Sequence, residues 1–488
     1  MTGFIYYLAA LGAILSGSMF LPSLIAFGSS EEEIGYRLLL YSSLGGFLCI
    51  STLLAISGRP VGIERRSAAW LAVTSWILFP VLVAIPLSDI VGLSFFAALF
   101  QSISSLTTTG SLVFGNPEAV PKSILFMLAQ LQWLGGLATL ITFILVLSPW
   151  EIGGLPKVGS ASETASIIAS EYRLVNFCSR LFRTMLALTL LCFVLLLLAG
   201  IPPYEGMVLS FTALSTGGIV PAVENIDLLL GNAGMLVMAV FMLLGATSIF
   251  WQRHLYGFKR EELVKHRETY FLFAIWLIIS VVLAFRIVQA SGLGGSLTAG
   301  ALSEGLMNTA SILSTSGIQS RPGIFTLLAP SFVLLVVIIG GGSFSTAGGL
   351  KLFRVGVVVK HSQNELNRLI YPNSLPSGQF SNSVLNLDFM KGVWGFFSIW
   401  VMSIGLLTIV MTISGLNFQA GFTSIAAAMS NAGPLYGSYW EPASSEFWPA
   451  YADMSSFQLS VLSIAMIIGR LEIIVFFASV AMLLRKFR

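Results

Sequence analysis

The chain has 488 residues, 56% of them hydrophobic and 10% charged, with a mean hydropathy of +0.88. Soluble globular domains run at about 45–50% apolar and about 25% charged, so this composition excludes an ordinary cytosolic enzyme and makes lipid the solvent for most of the chain. The formal net charge of +3 gives no whole-chain argument for nucleic acid or acidic partners.

Ten stretches are apolar enough, over about 20 residues, to cross a ~30 Å hydrocarbon core as helices: 4–27, 37–56, 68–87, 123–147, 184–201, 232–250, 270–285, 327–359, 392–413 and 457–484. The first lacks a basic n-region and a small-residue cleavage site, which predicts a retained span. Cys49, Cys178 and Cys192 sit singly in or beside apolar stretches, without CxxC spacing, and read as packing residues. Between the third and fourth stretches lies GLSFFAALFQSISS, and similar pieces precede the sixth, eighth and tenth. Each is too short to cross and too apolar for a free loop, the profile of a re-entrant segment.

Ten crossings put both termini on one side. The connections on that side, with the ends of spans eight and ten, hold 20 of the 25 basic residues. This is the positive-inside bias and predicts cytoplasmic termini. Only Arg37, Lys122, Arg286 and Arg321 fall outside, and Arg470 lies within a span.

The re-entrant pieces end alike: SLTTTG at Gly110, TALSTG at Gly217, ILSTSG at Gly317 and AMSNAG at Gly433, with separations of 107, 100 and 116 residues. Each period holds a span, a re-entrant helix, a small-polar turn ending in glycine, and another span. Non-helical backbone at membrane depth is tolerated only where it is buried in protein or lines water, so four such turns predict a central aqueous site. Glycine permits φ > 0, and four turns about one axis would present rings of carbonyl oxygens able to replace the hydration shell of a monovalent cation. The C-terminal dipole ends of the re-entrant helices would point there too.

This ordered set, together with LQWLGG at 131–136, GGGSFSTAGGLKLFR at 340–354, SNAGP at 430–434 and MIIGRLE at 466–472, resembles the Trk/Ktr/HKT superfamily of potassium transporters, most closely its bacterial TrkH-type membrane subunit. The resemblance covers nearly the whole chain. It implies an all-α polytopic membrane protein in which an N-terminal hairpin (1–58) precedes four pseudo-symmetric helix, pore-helix, helix repeats (68–150, 181–252, 269–360 with a broken last helix, and 390–488) around a central cation pore. By resemblance the potassium filter falls on Thr108, Thr109 and Gly110; Ser215, Thr216 and Gly217; Thr315, Ser316 and Gly317; and Asn431, Ala432 and Gly433. Serine at the first glycine position goes with sodium passage in related plant members, so four glycines favour potassium. The chain departs from the family in lacking an aromatic residue after its filter glycines. It also places Arg321 near the outer mouth, where a positive charge would oppose cation entry.

Two gates are expected. Five glycines in the ten residues 340–349 should unwind the eighth span, since glycine costs about 1 kcal/mol relative to alanine in a helix interior. The family counterpart is an intramembrane loop below the filter, here Gly340, Gly341, Gly342, Ser343, Ser345, Thr346, Gly348 and Gly349. Lys351, just beyond, reads as a cytoplasmic-end anchor. Arg470 should face a cavity or a partner, because centring it in a membrane helix costs about 2.5–3.5 kcal/mol on insertion scales. By resemblance to the family's GRLE segment it is a pore-facing barrier beneath the filter. Glu472, two residues on, points to a nearly opposite face.

His254, His266 and His361 lie in cytoplasmic connections, too far apart in sequence to read as a metal set. The resemblance implies a homodimer in the bacterial inner membrane, a cytoplasmic nucleotide-binding regulatory subunit of the TrkA type, no cofactor on this chain and no enzymatic activity. No GxGxxG follows a strand here, so a nucleotide site would belong to that partner. WQRHLYGFKREELVKHRETY at 251–270 is a candidate surface for it or for anionic lipid. A coupled symporter would need an ionisable residue near the pore midplane, with Glu304 and Glu472 the candidates. A membrane enzyme would need converging His and carboxylate groups, which the sequence does not offer.

Overall fold

The computed structural model describes residues 2–59, 65–115, 119–144, 171–222, 225–257, 263, 266–291, 298–370, 379–380, 383–384, 387–438 and 448–471. The described chain is helical apart from one short antiparallel pair, Gln379–Phe380 with Ser383–Val384. The N-terminal hairpin is α1 (Thr2–Ser18), α2 (Phe20–Gly28) and α3 (Glu32–Ile56). There follow α4 (Arg65–Val91), α5 (Phe95–Leu106), α6 (Lys122–Thr142), α7 (Glu171–Leu198), α8 (Pro203–Ser215), α9 (Ile226–Ala246) and α10 (Ile249–Tyr256). The second half comprises α11 (Arg267–Ser291), α12 (Ala299–Leu313), α13 (Pro330–Ile339), α14 (Leu352–Ile370), α15 (Leu387–Ile413), α16 (Phe418–Met429), α17 (Pro434–Gly437) and α18 (Ser456–Leu471).

Among the described residues, eight helical segments are long and apolar enough to cross a membrane. The eighth and tenth stretches expected from the sequence are not among them, for different reasons. The eighth is broken, as its glycines predict, into α13 and α14 with residues 340–351 between them. The tenth is described only as α18, and Glu472 lies outside the described residues. Burial separates inner from outer spans: 78% of the apolar window of α6 is enclosed, against none of that of α3.

The four short helices α5, α8, α12 and α16 have 12, 13, 15 and 12 residues. At 1.5 Å per residue they reach about 18–23 Å, short of the ~30 Å needed to cross. Their starts are fixed locally. Ser94, Thr298 and Asn417 accept the N–H of Ala97, Ala301 and Ala420 as N-caps, and α8 opens on Pro203 at its first position. Each short helix packs on the long helix before it (α4, α7, α11, α15), on a helix that follows it (α6, α9, α13, α18), and on one helix from elsewhere in the chain. These pairs are α8 on α6, α12 on α9, α16 on α13, and α5 on α18, so the contacts close into a ring.

The hairpin joins this ring through one carboxylate. Glu31 Oε1 accepts the Lys122 N–H at 2.9 Å, and Oε2 accepts the Ser123 N–H at 3.2 Å and the Ser123 hydroxyl at 2.5 Å. A charge from a distant loop thus caps the exposed amides that open α6, where the helix dipole favours an anion. Glu31→Ala is expected to lower stability by about 1–3 kcal/mol, with Glu31→Gln milder; thermal melts of the detergent-solubilised protein read the effect.

Candidate functional site

Each short helix runs into a turn in which one non-glycine residue is left-handed: Thr108 (φ 60°), Thr216 (φ 52°), Thr315 (φ 62°) and Asn431 (φ 52°). That conformation costs an L-residue about 1–2 kcal/mol, and here a hydrogen bond returning to the helix end holds it. The next N–H donates five residues back: Thr109 to Ser104 O, Gly217 to Thr212 O, Ser316 to Ser311 O and Ala432 to Ala427 O, at 2.8–3.0 Å. These bonds set the register of the four turns, and they correct one sequence assignment. Gly217 stands where Thr109, Ser316 and Ala432 stand, so the counterpart of Gly110, Gly317 and Gly433 is Gly218. Correspondingly Thr216 and Gly217, rather than Ser215 and Thr216, precede it. The string STGG offers two glycines, and only the backbone bonding tells them apart.

In this register the four glycine positions meet. A Cβ on Gly110 would lie 2.4 Å from Gly218 Cα, and one on Gly218 would lie 2.4 Å from Pro434 Cγ and 2.9 Å from Ser316 O. A Cβ on Gly433 would lie 2.1 Å from Ser111 Oγ. The Gly433 N–H donates to Thr109 O at 2.7 Å, tying the fourth turn to the first. Positive φ is needed only at Gly110 (79°) and Gly317 (72°); at Gly218 and Gly433 it is backbone approach that leaves no room for a side chain.

Buried amides brace the extended segments beyond the turns. Gln101 Oε1 accepts the Val113 N–H at 2.9 Å, and Asn308 Oδ1 accepts the Ser320 N–H at 3.0 Å, each amide standing nine residues ahead of its glycine. In the second turn the brace is borrowed from α6, where Gln132 Oε1 faces the Ile219 N–H at 3.4 Å. Beyond the third turn Arg321 pairs with Glu304, Nε to Oε1 at 2.8 Å, and the Ser320 hydroxyl donates to the same oxygen. The charge expected to oppose cations is therefore offset by Glu304.

Residues 340–351 lie against these turns. Thr315 Oγ1 accepts the Gly348 N–H at 2.7 Å, and the Thr346 hydroxyl is within 3.0 Å of both Leu214 O and Gly245 O. Gly342 N donates to Ala246 O at 2.8 Å, and a Cβ on Gly348 would lie 1.9 Å from Ser430 O. Glu268, at the start of α11, holds both ends of the loop: its Oε1 accepts from Ser343 N (2.8 Å), Ser343 Oγ (3.3 Å) and Phe353 N (3.0 Å). Gly340 packs on Gly348 and Gly349, Gly341 on Ala347 and Ala246, and Gly349 on the end of α13, with Leu350 N and Lys351 N returning to Ile338 O and Ile339 O, and the Ser345 hydroxyl closing onto Gly342 O. Arg470 is 2% exposed. Its Nε donates to Thr139 Oγ1 at 2.7 Å and its Nη1 to Thr346 O at 2.8 Å, clasping the loop between α18 and α6. Lys351 is no membrane-end anchor: it is buried, its Nζ donates to Ala347 O, and it sits 5.3 Å from the Phe143 ring centre.

The family model for TrkH, described as a cation transport protein, matches residues 47–253 and 269–485. The chain belongs to the TrkH family. It is 28% identical to the Trk system potassium uptake protein TrkG of Escherichia coli K12 over 97% of this chain and 95% of that protein. It is 27% identical to the TrkH protein of Vibrio parahaemolyticus over 84% of each. The crystal structure of the potassium transporter TrkH from Vibrio parahaemolyticus superposes with a TM-score of 0.81 over 98% of both chains at 23% identity, a likeness of fold. Family and apolar helices together make this a membrane protein, and the family is one of transporters, not enzymes.

In this TrkH-family chain the structure brings together groups that spacing alone did not. Glu268 and Thr139 carry no motif signal; an acid at the head of an apolar span was the available clue to the first. His254 and His266, separate in sequence, approach to 3.4 Å between ring nitrogens, although among the described residues no third ligand completes a metal site. Removing the Glu268 carboxylate would leave the Ser343 and Phe353 amides without their partner. Glu268→Ala is expected to speed amide exchange across 340–353 about tenfold, with Glu268→Gln intermediate, as read by hydrogen-exchange mass spectrometry.

Proposed function

We propose that this chain conducts potassium into the cell through a filter made of the turns at Thr108–Gly110, Thr216–Gly218, Thr315–Gly317 and Asn431–Gly433, gated by residues 340–351 and by Arg470. The observation that carries the reading is the convergence of four glycine positions from four separate turns, in a family whose relatives are named potassium uptake proteins. Backbone oxygens gathered at one place can replace water around a monovalent cation without any carboxylate. Potassium is the cargo, and no cofactor is needed on this chain.

The gate reading rests on where the loop is fastened. Residues 340–351 hydrogen-bond to the end of α8 and to the third turn and press on the fourth, so in this arrangement they stand against the filter on one side. Arg470, clasped to Thr346 O, adds a positive charge to the same place, and a buried cation opposes passage of another. Symport has less support, since Glu304 is engaged by Arg321 and Ser320, and Glu472 lies outside the described residues. We further propose cytoplasmic termini in a bacterial inner membrane, on the strength of the 20 basic residues in the inner connections. We also propose pairing as a homodimer and docking of a TrkA-type nucleotide-binding subunit, for which the family membership is the support.

The test is ion flux in proteoliposomes under potassium or sodium gradients, with and without a membrane potential. Potassium flux that follows its electrochemical gradient alone is expected; a requirement for a proton or sodium gradient would replace conduction by symport. Arg470→Ala is expected to raise flux several-fold, and unchanged or lower flux in folded protein would remove Arg470 from the gate. Gly110→Ser should weaken discrimination against sodium, and an unaltered ratio would dissociate the turns from selectivity.

A further inference from the structure

We propose that Tyr451 is a specificity-determining positioning residue: by donating its hydroxyl to the Gly433 carbonyl it withholds that one oxygen of the fourth turn from the ion and fixes the width of the filter. The inference rests on the filter reading above and adds that the four turns are unequal.

The inequality is visible in the backbone. Among the described residues, the carbonyls of Gly110, Gly218 and Gly317 accept no hydrogen bond, whereas Gly433 O accepts two, from the Tyr436 N–H at 3.2 Å and from the Tyr451 hydroxyl at 3.0 Å. A carbonyl oxygen has two lone pairs, so two donors leave it little capacity for an ion. Gly433 is also helical (φ −55°, ψ −43°) and opens the single turn α17, while Gly110 and Gly317 are left-handed. The glycine oxygen of the fourth turn is therefore engaged where those of the others are free.

Tyr451 is placed to make that engagement stiff. It sits in a short 3₁₀ turn, Tyr451–Asp453, and is 7% exposed. Its ring lies 5.4 Å from Phe100 of α5 and 4.9 Å from Tyr436. Tyr436 stacks on Trp448 at 5.7 Å, and its hydroxyl donates to Pro449 O at 2.8 Å, which closes the cluster on the segment that carries Tyr451. Four aromatic rings drawn from α5, α17 and 448–451 thus immobilise one phenol over one carbonyl, and large rings in such packing have little freedom to shift. On the inner side Pro434 abuts Gly218, so a rotation at Gly433 would be transmitted to the second turn. Without the hydroxyl, the Gly433 carbonyl regains a lone pair and can swing toward the axis. The ring of oxygens can then contract around a smaller ion, and discrimination against sodium falls.

The experiment is Tyr451→Phe in proteoliposomes, which deletes one oxygen and keeps the aromatic stack. Potassium uptake is measured as KM and maximal rate, with sodium as competitor. Because one hydrogen bond is lost, the potassium-to-sodium ratio is expected to fall about fivefold, with most of the change in the competition by sodium. Selective thermal stabilisation of the detergent-solubilised protein by potassium over sodium, which needs no vectorial flux, should fall in parallel. An unchanged ratio in both measurements overturns the role of Tyr451. Gly110→Ser assayed beside it separates the two claims: if Gly110→Ser lowers the ratio and Tyr451→Phe does not, Tyr451 alone is wrong, and if neither lowers it, the filter reading fails with it.

Discussion

Backbone that is not helical has no water to bond inside a bilayer, and each unsatisfied amide or carbonyl there costs several kcal/mol. The chain places five irregular segments at such depth, four turns and residues 340–351, and the fold answers by pairing them with one another. Ser104, Thr212, Ser311 and Ala427 carbonyls take the turn amides. Gln101, Gln132 and Asn308 face the extended segments beyond, and Thr315 and Glu268 accept the loop amides. The turns and the loop are in effect one bonded body. A loop that leaves its position must surrender bonds made to the end of α8 and to the third turn, so the loop and the turns cannot move independently.

The same constraint explains where the buried charge sits. Phe143, Gly348, Gly349, Lys351, Arg354 and Arg470 line one cavity beside the loop. Arg354 lies 3.9 Å over the Phe396 ring and donates to Leu350 O, and Arg470 donates to Thr139 and to the loop backbone. Cations in so enclosed a place are retained by aromatic faces and carbonyl oxygens.

Much of this was legible in the residues. The apolar stretches, the short pieces between them and the glycine-rich interruption at 340–349 gave α1 to α18 their order, and the break between α13 and α14 fell where the glycines were. Capping by Ser94, Thr298 and Asn417 is set within a few positions of each helix start. Other features depend on contacts between segments far apart in the chain. Glu31 caps a helix that starts at Lys122, Arg470 reaches a threonine in α6, and Arg321, read alone as a repelling charge, is offset by Glu304 on a different turn of backbone. Gly217 and Gly218 are equivalent as letters and differ only in which carbonyl the amide of each can reach.

The sequence by itself determined that this is an all-α membrane chain with four glycine-ended turns and a broken span, because helix length, hydropathy and glycine placement are set within windows of about 20 residues. Tertiary structure decided which glycine of the second turn joins the other three, which carboxylate fastens the loop, and which carbonyl of the ring is already engaged. Those outcomes rest on hydrogen bonds a few ångströms long, from Gly217 N to Thr212 O within one turn, from Tyr451 to Gly433 across 18 residues and from Phe353 to Glu268 across 85, in a ring where Gly433 N ties the fourth turn to Thr109 O of the first. No local pattern encodes such a pairing, and it exists only when the ring of helices closes.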